Sequence, residues 1–247
     1  MSEKSKKNKI LFSVIIPTKN EENYLEKTLK QFKLIPLKDN IELIVSDSNT
    51  SKETLKIAKK YADKVVLPKK GEVDNIAKAR NRGASKAEGI FLFHTDADAR
   101  ISKDFFEKCL KEFSKKKIIA LHGKLKFYPE QSGLKEKFFG FGINLFVYLS
   151  GILGIHLAKG EFQIIKRKVF EKVKGYDEKR LIGEDCELFY RLSKHGKIKY
   201  CKNITIYHSP RRFRKQGYVK TFLIYLREGI WILFNKKNYL KEWKPIR

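Results

Sequence analysis

Short apolar runs alternate with helical patterns from residue 11 to about residue 127 of the chain. The runs are apolar at successive positions, which is typical of strands that are buried on both faces of a sheet. Strands that alternate with helices form parallel sheets, because a parallel neighbour is reached only through a crossover connection. The alternation therefore predicts an α/β domain in which helices flank a mostly parallel central sheet.

The predicted elements divide the chain into three parts. Strands are predicted at 11–16, 41–46, 64–67, 90–94 and 118–127. Helices are predicted at 22–32, from the D-S-N-T-S turn to about residue 61, at 74–87 and at 104–114. Further along we predict a strand at 162–165, helices near 168–173 and at 183–196, short strands at 198–200 and 204–207, and a last helix at 218–235. We interpret 1–10 as a basic flexible tail, 11–215 as the domain, and 216–247 as an amphipathic helix with a basic tail.

Polar clusters follow three of the predicted strands, at the point where each strand ends. Their sequences are P-T-K-N-E after the first strand, S-D-S-N after the second and T-D-A-D after the fourth. Ligands of open α/β sheets bind outside the carboxyl ends of the strands. The position of these clusters therefore predicts a polar binding site at this edge of the sheet.

Two acidic pairs are candidates for the chemistry at that site. Asp96 and Asp98 flank one residue, and their oxygens suit Mg²⁺ or Mn²⁺, which keep open positions for phosphate oxygens. An Asx-type turn is the alternative explanation for this pair. Glu184 and Asp185 open an amphipathic helix, which could aim Asp185 into a cleft as a base. Capping and the helix dipole are the alternative there.

Five motifs in order make the chain resemble the family 2 glycosyltransferases, which have the GT-A (Rossmann-like) fold. The motifs are V-I-I-P-T-K-N-E-E, I-V-S-D-S-N-T-S-K-E-T, A-R-N-R-G-A at 79–84, F-L-F-H-T-D-A-D at 91–98, and V-K-G-Y-D-E followed by G-E-D-C-E-L-F-Y-R-L. The resemblance runs from about residue 11 to residue 215. It implies an enzyme that moves a sugar from a nucleotide-diphosphate sugar, such as a UDP- or GDP-sugar, to an acceptor.

The resemblance assigns roles to residues on the donor side. It implies that Pro17, Thr18 and Glu21 line the nucleotide pocket, that Asp47 contacts the base or ribose, and that Arg80 is the donor-site arginine. One departure concerns the turn after the second strand, which reads D-S-N-T where the family has D-D-G-S, and Lys52 replaces its following Asp. The selectivity for the base is therefore not implied.

The resemblance also assigns the metal and the reacting groups. Asp96 and Asp98 become the carboxylates that hold Mg²⁺ or Mn²⁺ near the nucleotide, and Asp185 becomes the base of an inverting, single-displacement transfer. Glu184 is expected beside the phosphate or acceptor. The late segment Y-H-S-P-R-R-F makes His208 a candidate third ligand, with an ordinary strand-end histidine as the alternative. Its arginines, Arg211 and Arg212, could clamp phosphate, although a solvated basic loop is an alternative.

Residues 138–158 form 21 successive positions without a charged side chain, between Lys137 and Lys159. The length suffices for a bilayer, but spanning would separate T-D-A-D from G-E-D, which must share one site. We therefore expect this segment to be buried or to lie in the membrane interface. Its glycines, at 140, 142, 151 and 154, predict two short helical pieces with a bend.

The last predicted helix, 218–235, has a wide apolar face that includes Phe222, Leu226 and Trp231, and basic residues flank it on both sides. This composition is typical of an interfacial helix at an anionic membrane surface. We expect a peripheral enzyme on the inner face of the cell membrane, with a lipid-linked acceptor whose hydroxyl or phosphate is glycosylated. The alternative is a soluble transferase for a saccharide or small polar acceptor, with both segments in the core or at a homodimer surface.

The charge and the cysteines limit the class of protein further. There are 55 Lys and Arg residues against 28 Asp and Glu residues, which gives a net charge of +27 and attracts polyanions. The basic residues are dispersed and no nucleic-acid-binding motif is evident, so we expect no nucleic-acid partner. The three cysteines show no paired spacing, which favours a reducing, cytoplasmic location.

Overall fold

A computed structural model describes residues 9–233, with the backbone alone described at 228–233. Within these residues one sheet contains seven strands in the order β3-β2-β1-β4-β6-β5-β7. The strands are β1 Phe12–Thr18, β2 Ile41–Asp47, β3 Lys64–Val66, β4 Phe91–His94, β5 Ile118–Phe127, β6 Gln163–Lys166 and β7 Lys197–His208. Only β6 runs antiparallel to its neighbours. The predicted mostly parallel sheet is confirmed.

Helices cover both faces of this sheet. They are α1 Leu25–Phe32, α2 Lys52–Tyr61, α3 Ile76–Ala84, α4 Phe105–Phe113, α5 Leu134–Ile152, α6 Arg167–Lys172, α7 Glu184–Ser193, α8 Arg211–Gln216 and α9 Tyr218–Leu233. Alternate residues of β1 enter different apolar clusters: Phe12, Val14 and Ile16 belong to one, and Ile15 belongs to the other. Burial on both faces explains why the strands read as continuous apolar runs.

The register of the strands brings the polar clusters to one edge. Thr18 at the end of β1 pairs with Asp47 at the end of β2. On the other side of β1, Ile15 pairs with His94, the last residue of β4, so the T-D-A-D segment leaves the sheet at this same edge. The predicted meeting of the three clusters is therefore confirmed.

Two predicted breaks in secondary structure are wrong. The short strands predicted at 198–200 and 204–207 form one strand, β7, which continues past a shift in its register with β5 between Gly123 and Lys124. The two helical pieces predicted within 138–158 are instead the single 19-residue helix α5. An interior glycine costs a helix about 1 kcal/mol, but tertiary contacts oppose that cost. The Asn144 side chain bonds to both the amide and the carbonyl of Leu125, at 3.0 and 2.6 Å.

Within residues 9–233, no helix combines the length and the apolar character that crossing a membrane requires. Most of the predicted basic tail at 1–10 and the end of the predicted last helix lie outside the described residues, as does the side chain of Trp231.

Candidate active site

Arg80 on α3 joins the two acidic pairs. Its side chain is buried, and it donates hydrogen bonds to Glu184 Oε1 at 2.7 Å and to Asp96 Oδ1 at 3.2 Å. The guanidinium also lies 5.5 Å from the centre of the Tyr176 ring. Glu184 is the first residue of α7 and lies 104 residues from Arg80 in the chain, and Asp96 follows β4. By bonding to both, Arg80 holds the start of α7 against the end of β4. The structure thus brings Arg80, Asp96 and Glu184 into one site.

Gly160 permits this packing, and it lies outside the five sequence motifs. A side chain at this position would begin 2.1 Å from Arg80 Nη2, which is closer than any real contact. The Gly160 amide donates a hydrogen bond to Asp185 Oδ2 at 3.0 Å, while the other oxygen of Asp185 accepts from the Cys186 amide at 2.8 Å. Backbone donors therefore fix the carboxylate of Asp185. The only signal in the sequence is the K-G-E tripeptide that ends the uncharged stretch.

The backbone conformation of Gly183 explains why a glycine precedes the second acidic pair. Its φ of +73° is a left-handed conformation that glycine adopts without strain, and α7 begins at the next residue.

Burial raises the pKa of Glu184 to about 7; neighbouring Asp185 adds to the rise and Arg80 opposes it. Burial also raises the pKa of Asp185, again against Arg80. A carboxylate with a raised pKa is a stronger base.

Asp98, Glu21 and Arg211 form a second buried group of charges. Arg211 donates to both oxygens of Glu21, at 2.9 and 3.0 Å, across 190 residues of sequence. Its Nε atom lies 3.5 Å from Asp98 Oδ2. Burial raises the pKa of Asp98 to about 7, an effect that Arg211 opposes and Asp96 increases. In this structure Arg211 neutralises two carboxylates, and its contact with phosphate stays a prediction.

The proposed metal ligands line one cavity together with a residue that the sequence analysis missed. Asp96, Asp98 and His208 share this cavity with Glu161, whose Oε1 lies 3.8 Å from His208 Nδ1. Burial lowers the pKa of His208, which favours the neutral imidazole that binds metals. Carboxylate oxygens with one imidazole suit Mn²⁺ or Mg²⁺, so the donor set fits. Among the described side chains, no group of three His, Cys, Asp or Glu residues is arranged to hold a metal ion.

This cavity, which we call the polar cavity, has a volume of about 300 Å³. Pro17, Thr18 and Glu21 line it as the resemblance implies, and Ser48 and Asp74 also line it. Asp47 is not among its lining residues, because Asp47 is fully buried and accepts hydrogen bonds from the Thr18 hydroxyl and from both the amide and the hydroxyl of Thr50. Asp47 thus shapes the wall, and its contact with the base or ribose stays a prediction.

A second cavity adjoins the polar one and is mostly apolar. Helices α5 and α9 supply much of its apolar lining, and Glu184, Asp185 and Arg80 also line it. The two cavities share Asp96, Glu161, His208 and Arg212 as common lining residues. We call it the α5–α9 cavity. Asp96 therefore lies where a polar space meets an apolar one, while Asp98 lines only the polar cavity and Glu184 and Asp185 line only the α5–α9 cavity.

A family model for glycosyl transferase family 2 matches residues 13–174. The chain belongs to glycosyl transferase family 2. The match includes Thr18, Arg80, Asp96 and Asp98, whereas Asp185 lies beyond it. Membership confirms the resemblance drawn from the motifs.

The chain matches only part of the length of two relatives. The O-antigen chain rhamnosyltransferase WbaN of Salmonella anatum is 24% identical over 191 residues, which is 73% of this chain and 60% of that protein. Hyaluronan synthase of Pasteurella multocida is 26% identical over 218 residues, which is 85% of this chain and 22% of that protein. The chain thus spans less than two thirds of either relative.

Solved structures of glycosyltransferases share the fold. The mannosyltransferase PcManGT of Pyrobaculum calidifontis, in complex with GDP-Man and Mn²⁺, superposes with a TM-score of 0.71 at 19% identity, covering 94% of this chain and 66% of that chain. S. aureus TarS residues 1–349 with UDP-GlcNAc gives a TM-score of 0.65 at 18% identity, covering 94% and 68%. The predicted GT-A type of fold is confirmed.

Proposed function

We propose that the protein is an inverting, metal-dependent glycosyltransferase that moves a sugar from a nucleotide-diphosphate sugar to the hydroxyl or phosphate of a lipid-linked acceptor. One observation carries the proposal: Arg80 holds Asp96 and Glu184 together at the junction of a polar and an apolar cavity. A donor that is a polar nucleotide sugar and an acceptor that is amphiphilic match these two spaces.

The polar cavity is assigned to the donor. The structures of PcManGT with GDP-Man and of TarS with UDP-GlcNAc support a UDP- or GDP-sugar in this place. Asp96, Asp98 and His208 would hold Mg²⁺ or Mn²⁺. When bound, this ion would neutralise the charge that develops on the departing diphosphate. Arg211 and Arg212, which line the same cavity, are assigned to the phosphate oxygens.

Asp185 is assigned to the acceptor side. Its carboxylate lines the α5–α9 cavity, and its two oxygens are oriented by the amides of Gly160 and Cys186. A base held in this way would take the proton of an acceptor hydroxyl as the oxygen attacks the sugar carbon. A single displacement at that carbon inverts its configuration. Glu184, paired with Arg80, would keep the arginine in place near the phosphate or acceptor.

The outer face of α5 supports an acceptor in a membrane. Five of its large apolar residues are between 49% and 87% exposed: Leu134, Phe138, Phe141, Leu149 and Ile152. We call this set the α5 stripe. The net charge of +27 favours an anionic surface, and we propose peripheral attachment on the cytosolic face. A soluble transferase for a polar acceptor would need the stripe covered, for example in a homodimer.

The experiment for the donor is a thermal-shift panel with UDP-, GDP- and dTDP-sugars, each with and without Mn²⁺. We expect stabilisation by one nucleotide class, and we expect it to increase with Mn²⁺ because a ligand that binds only the folded state stabilises it. If no sugar nucleotide shifts the melting temperature in either condition, the proposed donor site is wrong.

A further inference from the structure

Helix α5 has apolar residues on two opposite faces. Its inner face contributes Gly140, Ile143 and Val147 to the α5–α9 cavity, while the α5 stripe lies on the outside. A helix that is apolar all round belongs in a core or in lipid. The inner face therefore provides an apolar wall directly behind the side of the helix that would meet a membrane.

Helix α9 supplies the other apolar wall of the cavity. Phe222 and Leu226 line it, and the Phe222 ring lies 5.6 Å from the ring of Phe146 on α5. The sequence predicts that Phe222 and Leu226 contact a membrane, but both side chains line this cavity and are only partly exposed. Among the described side chains of α9, the large apolar residues that are exposed are Val219 and Leu223, at 69% and 55%. The cavity has a volume of about 160 Å³.

The cavity also carries charges close to the proposed base. Asp185 lines it together with Lys159 and Arg212. The Lys159 ammonium lies 4.2 Å from the centre of the Tyr225 ring, which orients it at the edge of the apolar wall. Four carboxylates also line the cavity, Asp96, Glu161, Glu184 and Asp185, and Arg80 pairs with Asp96 and Glu184. A ligand with an anionic head for Lys159 and Arg212 and a hydrocarbon segment for the walls would match both parts.

We propose that the α5–α9 cavity binds the first part of the hydrocarbon chain of a phosphate-linked lipid acceptor, with the phosphate beside Lys159 and Arg212 and the reacting group at Asp185. This inference rests on the proposed function and names the part of the acceptor that the protein itself recognises. The α5 stripe brings the protein to the lipid surface, and the inner face of the same helix receives the chain.

Two glycines of α5 provide a matched pair of variants. A Cβ atom at Gly140 would lie 3.8 Å from the Phe127 ring, an ordinary contact, and a longer side chain there would occupy the cavity. Gly142 is exposed, with no atom within 4 Å of its added Cβ. Gly140→Leu and Gly142→Leu both replace an interior glycine of one helix by leucine, so their effects on helix propensity are similar. Only the first fills the cavity.

The probe is farnesyl phosphate, and inorganic phosphate is the comparison without a hydrocarbon chain. Binding is measured by calorimetry on the full-length protein. We expect farnesyl phosphate to bind the parent and Gly142→Leu within about twofold of each other, and Gly140→Leu at least about tenfold more weakly, a difference equivalent to 1.4 kcal/mol. Inorganic phosphate is expected to bind much more weakly than farnesyl phosphate to the parent.

Equal affinity of Gly140→Leu and the parent for farnesyl phosphate would overturn the inference, and so would equal affinity of the parent for both phosphates. Ile143→Phe, which narrows the cavity from the next position along its wall, repeats the test if Gly140→Leu does not fold. Nucleotide-sugar stabilisation with Mn²⁺ is measured on the same samples. Its absence from the parent, with farnesyl phosphate binding intact, would defeat the proposed donor chemistry and leave the lipid site standing.

Discussion

Replacing Arg80 by methionine tests the contact that holds the two acidic pairs together. The variant keeps a long side chain in the space but leaves Glu184, 8% exposed, and Asp96, 33% exposed, without their shared cation. Removing one partner of a buried ion pair costs about 3–5 kcal/mol. Because Asp96 can turn to solvent and only Glu184 stays buried, we expect a loss near the lower limit, about 3 kcal/mol of the free energy of unfolding.

The loss in Arg80→Met should depend on pH. The pKa of Glu184 is raised to about 7 in the folded protein from an ordinary 4.5, mainly by burial, although Arg80 opposes the rise. The folded state therefore binds more protons than the unfolded state between these values, and stability falls as the pH rises through this range. Without Arg80 the folded pKa rises further, so the loss should be smaller at pH 5 than at pH 8.

The assay is urea denaturation at pH 5 and pH 8, followed by circular dichroism. Lys108→Met is the control, because Lys108 pairs with Asp104 on an exposed turn of α4 with side chains 45% and 48% exposed. Exposed pairs of this spacing contribute about 0.3–0.5 kcal/mol. A loss in Arg80→Met no larger than in Lys108→Met, or a loss that is larger at pH 5 than at pH 8, would refute the reasoning.

Three further predictions concern function. Asp98→Asn should remove the part of the nucleotide-sugar thermal shift that depends on Mn²⁺; an unchanged shift would contradict its place at the metal. Asp185→Asn should keep its affinity for the nucleotide in calorimetry and lose transfer by about 10²–10⁴-fold, the usual contribution of a general base; an equal loss of nucleotide binding would move Asp185 to the donor side. Replacing Phe138 and Phe141 by Ser should weaken flotation with anionic liposomes. High salt should remove only part of the parent protein's flotation, because it screens the charges and not the apolar contacts. Leu34→Ser is the control, since Leu34 is 73% exposed but lies outside α5 and α9. A parent protein that fails to float at low salt would refute the membrane attachment.

The positions of the donor-side residues followed from the sequence because they depend on local pattern and topology. Each strand was recognisable as a short apolar run, and parallel strands place their carboxyl ends at one edge. Thr18 and Asp47 consequently pair across β1 and β2, with Asp96 just beyond β4 at the same edge. No long-range packing had to be known for this inference.

The sequence by itself determined the family, the meeting of the three polar clusters at one edge of the sheet, and the candidate acidic pairs. The tertiary structure alone decided which cations neutralise those acids, since Arg80 meets Glu184 across 104 residues of sequence and Arg211 Nε lies 3.5 Å from Asp98 Oδ2. It also decided that α5 is continuous, because the bonds of Asn144 to Leu125 and the packing of its inner face oppose the cost of its glycines. Local propensity records the cost of each residue in a helix, whereas the contacts that outweigh it join residues far apart in the chain and exist only once the domain has folded.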